Sequence, residues 1–295
     1  MAAEHLRHTF RAMGTGVTLL GPGASAPEFE TVALTVEILF AREEARFSRF
    51  REDSELTRVN KAAGWWVSVS PGFEALTRLA LAQAAATDGL FDPTALGAVI
   101  AAGYDRDFDE VLAGARGALH PPQPCGRWRD VEVRAGAIRL PKSVGLDFGG
   151  IAKGHTADLA AHTAVAEGLA WALVSAGGDL RIAGDAPPIE IGIEDPGDAD
   201  AVAARVILTG GALATSSVTR RAWGEGLHHV IDPRTGAPSD GGCLQATVWA
   251  PTCAEAEVRA TWALLTGPSA ADTLPCAIAT ADGDLVISFR TGVAA

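Results

Sequence analysis

The segment "GLDFGGIAKGHTADLA", residues 145–160, limits the possible folds more than any other stretch of this sequence. Its pattern predicts a buried strand, a turn at Gly149 and Gly150, and a helix that begins near Lys153. The first turn of a helix offers free N–H groups and a partial positive charge, to which Lys153 adds a full charge. The junction therefore suits a phosphate group, although a tight turn with an exposed lysine gives the same pattern.

Two standard phosphate-binding loops are excluded at this junction. "GGIAKG" does not supply the GxGxxG spacing of dinucleotide-binding folds. Lys153 is followed by Gly154 rather than by the Ser or Thr that a Walker A loop requires. A nucleotide site at this junction must be of another kind.

Composition narrows the class of protein. The chain has 295 residues, 48% of them hydrophobic, and a formal net charge of −12. This charge argues against a general nucleic-acid binder and against an electrostatic membrane anchor. No stretch approaches the roughly 20 apolar residues of a membrane span, and the N-terminus lacks the pattern of an export signal. We expect a cytoplasmic protein with four reduced cysteines, no nucleic-acid partner and no membrane span.

The periodicity of the chain predicts an α+β fold. Thr15–Leu20 alternates like a strand, and apolar residues recur at helical spacing from Val32 to Phe47. Pro71 is placed to open a helix that runs to about Thr87. Residues 131–150 and 276–290 have the pattern of hairpins, the first leading into a further strand. Without a linker or repeat, we expect one composite domain, residues 1–295, of mixed and largely antiparallel sheets with packed helices.

A second constellation lies in "PTCAEAEVRATWALLTG", where Thr252 is placed to cap a helix from Cys253 to Leu265. Glu257 and Thr261 are four residues apart, so their oxygens project from the same face of that helix. A carboxylate and a hydroxyl are the hard oxygen ligands that Mg²⁺ accepts. An ordinary solvated helix face would carry the same pair.

Three further segments hold candidate site residues, each with a plain structural alternative. In "SAGGDLRIAG", Asp179 follows two glycines and either holds a ligand hydroxyl or fixes the turn. In "DGLFDPTALG", Asp92 and Thr94 bracket a proline, which is typical of an Asx turn. In "LHHVIDPRTGAPSD", adjacent His228 and His229 would face opposite sides of a strand and are unlikely partners for one metal ion.

The order of these segments carries more information than each alone, because as a series they closely resemble the ApbE family of magnesium-dependent FAD:protein FMN transferases. The resemblance covers nearly the whole chain, and "GGIAKG" and "HHVIDPRTG" are its most specific blocks. The remaining blocks are "MGT" (13–15), "FSRFREDSELTRVN" (47–60), "FDPTALG" (91–97), "LVSAGGDLRIAG" (173–184), "ATSS" (214–217) and "ATVWAPTCAEAEVRATWALLTG" (246–267).

The resemblance implies an ApbE-like, T-fold-like domain with a defined reaction. Such enzymes split FAD at its pyrophosphate, transfer FMN to a Thr or Ser hydroxyl of an acceptor flavoprotein, and release AMP. FAD is thus a substrate, Mg²⁺ a cofactor, and the acceptor flavoprotein a partner. The implied metal ligands are the Gly150 carbonyl, Glu257 and Thr261.

The resemblance also implies the residues that contact FAD and perform the chemistry. Asp147, Lys153 and His229 are the expected catalytic residues, with Asp147, Asp179 and His229 all open as the general base. The expected FAD contacts are Met13, Phe50, Leu90, Phe91, Asp92, Asp147, Lys153, Ile231 and Ala260, to which Asp179 is added as a candidate.

This sequence departs from the family pattern in two respects. Glu257 stands where the family usually has Asp, and one extra methylene matters to Mg²⁺, which is strict about geometry. Many bacterial members are exported lipoproteins, whereas this sequence shows no export signal. Two other activities fit the same residues: an FAD pyrophosphatase that gives FMN and AMP, and a non-catalytic FAD-binding protein.

Overall fold

The computed structural model describes residues 5–23, 26–114, 118–240 and 242–289. The α-helices are α1 Ala26–Phe47, α2 Glu55–Lys61, α3 Pro71–Ala86, α4 Leu96–Ala101, α5 Phe108–Leu112, α6 Ala152–Ala166 and α7 Cys253–Thr266, with short 3₁₀ helices at Arg127–Asp130 and Pro268–Asp272. The strands are β1 His5–Ala12, β2 Thr15–Pro22, β3 Trp66–Ser68, β4 Glu132–Arg134, β5 Ala137–Arg139, β6 Trp171–Ala176, β7 Asp179–Gly184, β8 Ile189–Glu194, β9 Val202–Leu208, β10 Gly211–Ser217, β11 Ala222–Gly224, β12 Leu227–His228, β13 Ile231–Asp232, β14 Ala237–Pro238, β15 Cys243–Ala250, β16 Cys276–Thr280 and β17 Leu285–Ile287.

The chain divides into two compact units. Unit 1 consists of the chain up to Glu43, Lys153–Ser216, and the chain from Cys243 onward. Unit 2 consists of Glu44–Ala152 and Ser217–Gly242. The expectation of one composite domain stays a prediction.

Unit 1 is built on an eight-stranded sheet in the order β1-β2-β6-β7-β10-β15-β16-β17. Antiparallel pairing joins β1 to β2, β2 to β6, β6 to β7, β7 to β10, β15 to β16 and β16 to β17. Strands β8 and β9 form a separate antiparallel ribbon. The predicted α+β class with largely antiparallel sheets is confirmed.

Strand β6, in the interior of this sheet, buries both of its faces. Ala172 and Val174 of β6 lie in one apolar cluster with residues of α1, α6 and α7, whereas Leu173 lies in a second cluster with the β8–β9 ribbon. Alternation along a strand sends successive side chains to opposite faces, so β6 supplies both clusters. The buried residues that helix α6 contributes to the first cluster are all small, which keeps the helix close to its neighbours: Ala157, Ala160, Ala161 and Ala164.

Unit 2 contains small sheets and short helices. Its sheets are β3-β5-β4 and the pairs β11–β12 and β13–β14. Phe47, Phe73 and Phe148 pack with ring centroids 5.6–6.0 Å apart. These aromatic contacts anchor residue 148, which lies two residues before Gly150.

The predicted strand before the Gly149–Gly150 turn is wrong. Residues 144–148 are buried or half-buried but belong to no strand. Their backbone groups bond elsewhere: the Leu146 N–H donates to Asn60 Oδ1 at 2.8 Å, and Asn60 Nδ2 donates to the Leu146 carbonyl at 2.9 Å. The Asp147 N–H donates to the Pro93 carbonyl at 2.8 Å. A side chain therefore satisfies groups that a neighbouring strand would otherwise pair.

Most of the other predicted elements are present. Ser70 caps α3, Pro71 begins it, and Thr252 caps α7 through the Glu255 N–H, as the sequence predicted for the last two. The segment from Trp171 to Gly184 is the hairpin β6–β7, whose turn is Gly177-Gly178 with positive φ at both residues. Within the described ranges, no helix is long and apolar enough to cross a bilayer.

Replacement of Asn60 by Ala should destabilise the protein, because it removes both bonds to the buried Leu146 backbone. The expected loss is about 2–4 kcal/mol in the free energy of unfolding. Urea denaturation followed by circular dichroism measures it, with the exposed neighbour Lys61→Ala as control, expected to cost less than about 0.5 kcal/mol. Equal stability of N60A and wild type would contradict this account of residues 144–148.

Candidate functional site

A buried ion cluster in unit 1 joins three of the predicted site residues. The Lys153 ammonium contacts Glu257 Oε1 and lies 2.9 Å from Asp179 Oδ2. Lys153 stands in the first turn of α6, Asp179 begins β7, and Glu257 lies in the second turn of α7. Both acids are almost fully buried, at 3% and 4% exposure. The sequence predicts that Lys153 contacts a phosphate group. In the structure, its ammonium also neutralises two buried carboxylates.

Backbone groups hold the two carboxylates in place. The Gly154 N–H donates to Glu257 Oε2 at 2.8 Å, and the Thr215 N–H donates to Asp179 Oδ1 at 3.1 Å. Each acid thus has one oxygen on a backbone donor and one facing Lys153. Such bonds fix carboxylates before any ligand arrives.

Gly154 explains why this cluster can form. A Cβ atom added there would lie 2.5 Å from the Cys253 carbonyl oxygen and 2.8 Å from the Ala254 nitrogen, closer than real atoms come. The first turn of α6 therefore packs directly on the backbone of α7. The Asp158 carboxylate, one turn further along α6, accepts the Cys253 and Ala254 N–H groups at 2.8 and 3.0 Å. The last glycine of "GGIAKG" is thus a packing requirement.

Two pairs of hydroxyl groups join β10 to its neighbours α7 and β15. Thr261 Oγ1 is 2.9 Å from Ser216 Oγ of β10, and Thr215 Oγ1 is 2.8 Å from Thr247 Oγ1 of β15. The block "ATSS" was part of the family resemblance but was given no role. Its three consecutive hydroxyl residues at the end of a strand, Thr215, Ser216 and Ser217, were the signal that could have indicated Ser216.

Above about pH 7, where Glu257 is ionised, the cluster carries a net charge of −1 from two carboxylates and one ammonium. Burial raises the pKa of Glu257 to about 7, and Asp179 also raises it, while Lys153 and the Gly154 N–H lower it. Burial also raises the pKa of the neighbouring Cys253 thiol well above its usual range. A buried site of net negative charge favours the uptake of a cation.

In unit 2, Asp147 is held by an arginine that the sequence analysis missed. Arg49 Nε lies 3.3 Å from Asp147 Oδ2, and the Gly149 N–H donates to Asp147 Oδ1 at 2.7 Å. The Arg49 guanidinium is stacked 4.2 Å from the Phe50 ring centroid and 4.4 Å from that of Tyr104. Arginine between two aromatic rings is well oriented. The signal was a basic residue directly before Phe50 in the "FSRF" block.

Asp92 forms the Asx turn that was its structural alternative. Its Oδ1 accepts from the Thr94 N–H at 2.8 Å and from the Thr94 hydroxyl at 2.6 Å, and its Oδ2 accepts from the Gly126 N–H. Phe91 is buried, and its N–H donates to Thr87 Oγ1 at 3.1 Å. Leu90 is half-buried. Asp92 therefore connects the 91–94 loop to Gly126 through hydrogen bonds.

The two adjacent histidines have different environments. His228 is buried at the end of β12, its Nε2 lies 3.3 Å from the Ser239 carbonyl oxygen, and burial lowers its pKa. His229 follows the strand and donates its N–H to the Arg221 carbonyl at 3.3 Å. The Arg234 guanidinium donates to both oxygens of the Asp232 carboxylate at 2.7–3.1 Å. These bonds close the "DPRTG" turn, which begins two residues beyond Val230.

Met13 has an unusual backbone. It forms, with Gly14, the two-residue turn between β1 and β2, and its φ is +52°. A turn with positive φ at both central residues normally takes Asn or Gly at the first, so a methionine there costs roughly 1 kcal/mol. Strain of this kind is common at ligand contacts and supports a functional role for Met13.

The remaining predicted residues are placed as follows. Ala260 is fully buried in α7, Ile231 is buried in β13, and Gly150 is half-buried just before α6. The predicted residues fall in both units. Unit 1 holds Met13, Lys153, Asp179, Glu257, Ala260 and Thr261, and unit 2 holds Phe50, Leu90, Phe91, Asp92, Asp147, Gly150, His229 and Ile231.

Comparison with known proteins identifies the family of this chain. The chain matches the ApbE family over residues 13–277. A relative from Klebsiella pneumoniae named FAD:protein FMN transferase is 29% identical, over 88% of this chain and 78% of its own length. One from Treponema pallidum with the same name is 31% identical, over 82% of this chain and 73% of its own length.

Solved structures show the same fold. The ApbE protein from Thermotoga maritima superposes with a TM-score of 0.83 at 26% identity and covers 97% of both chains. The flavin transferase ApbE from Vibrio cholerae superposes with a TM-score of 0.79 at 24% identity, over 97% of this chain and 98% of its own. The chain therefore belongs to the ApbE family, which confirms the family predicted from the sequence.

Replacement of Gly154 by Ala should be destabilising even though Ala is the better helix former. The added methyl group would collide with the α7 backbone, so we expect a loss of about 1–3 kcal/mol in the free energy of unfolding. Gly210→Ala is the matched control in unit 1, because a Cβ there meets nothing within 4 Å. Denaturant titration of both variants is the measurement, and equal effects of the two would show that α6 and α7 do not touch at Gly154.

Proposed function

We propose that the chain is an FAD:protein FMN transferase that needs Mg²⁺. It would split FAD at the pyrophosphate, transfer FMN to a Thr or Ser hydroxyl of an acceptor flavoprotein, and release AMP. The family and the names of its relatives support the reaction class. The observation that carries the proposal is the buried cluster in which Lys153 bridges Asp179 and Glu257.

The residues present suit a magnesium ion. Glu257 and Thr261 offer a carboxylate and a hydroxyl one helical turn apart, and both are hard oxygen donors of the kind that Mg²⁺ prefers. The net charge of −1 that the Lys153 cluster carries once Glu257 is ionised favours a cation. Among the described residues, there is no group of three or more His, Cys, Asp or Glu side chains that could hold a metal ion. The set proposed here contains one such residue, Glu257, with Thr261 and the carbonyl of Gly150.

The bound ion would neutralise negative charge on the pyrophosphate as the bond to AMP breaks. This chain's own residues prepare the site for that step. The Gly154 N–H and Lys153 hold the Glu257 carboxylate from two directions, so it does not have to reorganise when charge develops. Lys153 and the first turn of α6 add positive potential for phosphate oxygens.

The acceptor hydroxyl must lose a proton, and three groups remain candidates for receiving it. Asp179 has both oxygens engaged, by Lys153 and by the Thr215 N–H. Asp147 is held by Arg49 and the Gly149 N–H. His229 lies just beyond β12. A general base must reach the hydroxyl first and have a suitable pKa second, so substrate geometry selects among the three.

Mass spectrometry of a flavin-carrying acceptor domain tests the reaction directly. After incubation with the protein, FAD and Mg²⁺, the acceptor should gain the mass of one FMN group on a Thr or Ser, and AMP should appear in equal amount. Rapid AMP release without a modified acceptor would replace the proposal with FAD hydrolysis. FAD binding with neither product would replace it with a flavin-binding role.

Glu257→Ala and Glu257→Gln should both abolish Mg²⁺-dependent turnover. We expect losses larger than the roughly 10- to 100-fold that follows removal of an outer-shell metal partner. Gln keeps the shape and can still accept the Gly154 N–H, so this variant should fold normally while it lacks the charge. Initial rates of AMP formation at several Mg²⁺ concentrations are the measurement.

The matched control is Glu255→Gln, on the same helix, where the carboxylate pairs with Arg259 at 2.6 Å. This variant should retain the wild-type Mg²⁺ dependence. Full activity of E257Q, with circular dichroism like that of the wild type, would remove Glu257 from the metal site.

A further inference from the structure

The small sheet of unit 2 presents an unusual outer face. In the order β3-β5-β4, Trp66 pairs with Arg139 and Arg139 with Glu132, so all three project from the same side. The opposite side is apolar and buried, with Val67 and Ile138. The Arg134 and Arg139 guanidinium carbons lie 4.1 and 5.3 Å from the Trp66 ring centroid. The outer face is therefore a tryptophan flanked by two arginines.

Trp65 lies just before β3 and next to Trp66 in the chain. Its side chain is 74% exposed, and no hydrogen-bond or ring partner for it exists among the described residues. Gly64 precedes it and lines an open groove together with Arg129, Glu132, Arg139, Leu140 and Lys142. We name Trp65, Trp66, Arg134, Arg139 and Lys142 the Trp–Arg face. Tryptophan and arginine are the residues most enriched at the energetic centres of protein interfaces.

The Trp–Arg face is basic on a strongly acidic chain. Between residues 126 and 143 the sequence has five basic residues and two acidic ones, whereas the whole chain carries −12. Glu132 is occupied by Arg139, and Asp130 pairs with Arg127 at 2.6 Å. Arg134 and Lys142 form no ion pair with any described residue. The face thus offers uncompensated positive charge beside two exposed indoles.

We propose that the Trp–Arg face docks the acceptor protein, through an acidic segment that also carries an apolar side chain. This inference rests on the proposed function, which requires a polypeptide substrate. Carboxylates of the segment would pair with Arg134 and Lys142, and its apolar side chain would cover Trp65. Docking of this kind lowers the KM for the acceptor and leaves the chemical step unchanged.

Charge selects this occupant over the others. A second copy of the chain would bring together two molecules that each carry a net charge of −12, and the arginines of the two faces would repel each other. Anionic lipid and nucleic acid would be repelled by the overall charge, even though they would attract this one face. An acidic segment is short enough to contact only the local positive charge, so the overall negative charge repels it less.

Steady-state kinetics with varied acceptor concentration tests the proposal. The variants are Trp65→Ala and Arg134→Glu, with controls of the same type in unit 1: exposed Ile38→Ala and exposed Arg7→Glu. Each docking variant should raise the KM for the acceptor at least about fivefold, the usual effect of losing an interface anchor. The kcat and the KM for FAD should stay at wild-type values, and both controls should behave like the wild type. Unchanged KM values for W65A and R134E would overturn the proposal.

A binding assay separates this inference from the transfer reaction. A short fluorescein-labelled peptide with Glu residues on both sides of one Leu, followed by anisotropy at low salt, should bind the wild type and R7E alike and R134E at least about fivefold more weakly. If no acceptor is modified but this pattern holds, the proposed function fails and the acidic docking surface stands.

Equal binding of the probe to R134E and R7E would overturn the acidic surface whatever the transfer assay shows. Self-association that W65A abolishes in sedimentation velocity would assign the face to a second copy. Co-sedimentation with phosphatidylglycerol vesicles that R134E abolishes would assign it to a lipid surface. Either result would also overturn the proposal.

Discussion

The direct contact of two helix backbones at Gly154 determines the geometry of the acidic cluster. Because residue 154 has no side chain, its N–H reaches Glu257, and the preceding Lys153 reaches the same carboxylate and Asp179. Glycine weakens the start of α6 by roughly 1 kcal/mol relative to alanine. The Asp158 bonds to the α7 N-terminus offset that cost within the same pair of helices. The cluster is thus a product of helix packing and not of a flexible loop.

Two different means hold acidic groups in this protein. In unit 1, burial and backbone N–H groups fix Glu257 and Asp179 around one ammonium. In unit 2, a guanidinium held between two rings fixes Asp147. Arginine suits the second position because it is planar and stacks on aromatic rings, whereas lysine suits the first because its compact ammonium fits between two carboxylates. Each unit therefore holds its acidic groups in preorganised positions.

Much of the fold could be predicted because its signals are local. Pro71, Thr252 and the Asp282-Gly283 turn each act on their own helix or hairpin, and the helices and hairpin they predict are present. The buried segment 144–148 could not be assigned correctly, since its hydrophobicity matches that of a strand and its partner, Asn60, lies 86 residues away. The same limit applies to the site. The spacing of Glu257 and Thr261 predicts that they share one face of a helix, whereas the contacts of Arg49 with Asp147 and of Ser216 with Thr261 join residues far apart in the sequence.

The burial of Cys253 has a consequence for redox chemistry. A thiol at a helix N-terminus is normally activated, because the helix dipole stabilises the thiolate. Here complete burial has the largest effect on the pKa of the Cys253 thiol and raises it. The nearby carboxylates of Asp179, Asp158 and Glu257 raise the pKa further. The thiol stays protonated and unreactive, so peroxide and disulfide exchange have little access to the turn from which Glu257 projects. A cysteine can therefore remain beside the acidic cluster under oxidising conditions without becoming a point of damage.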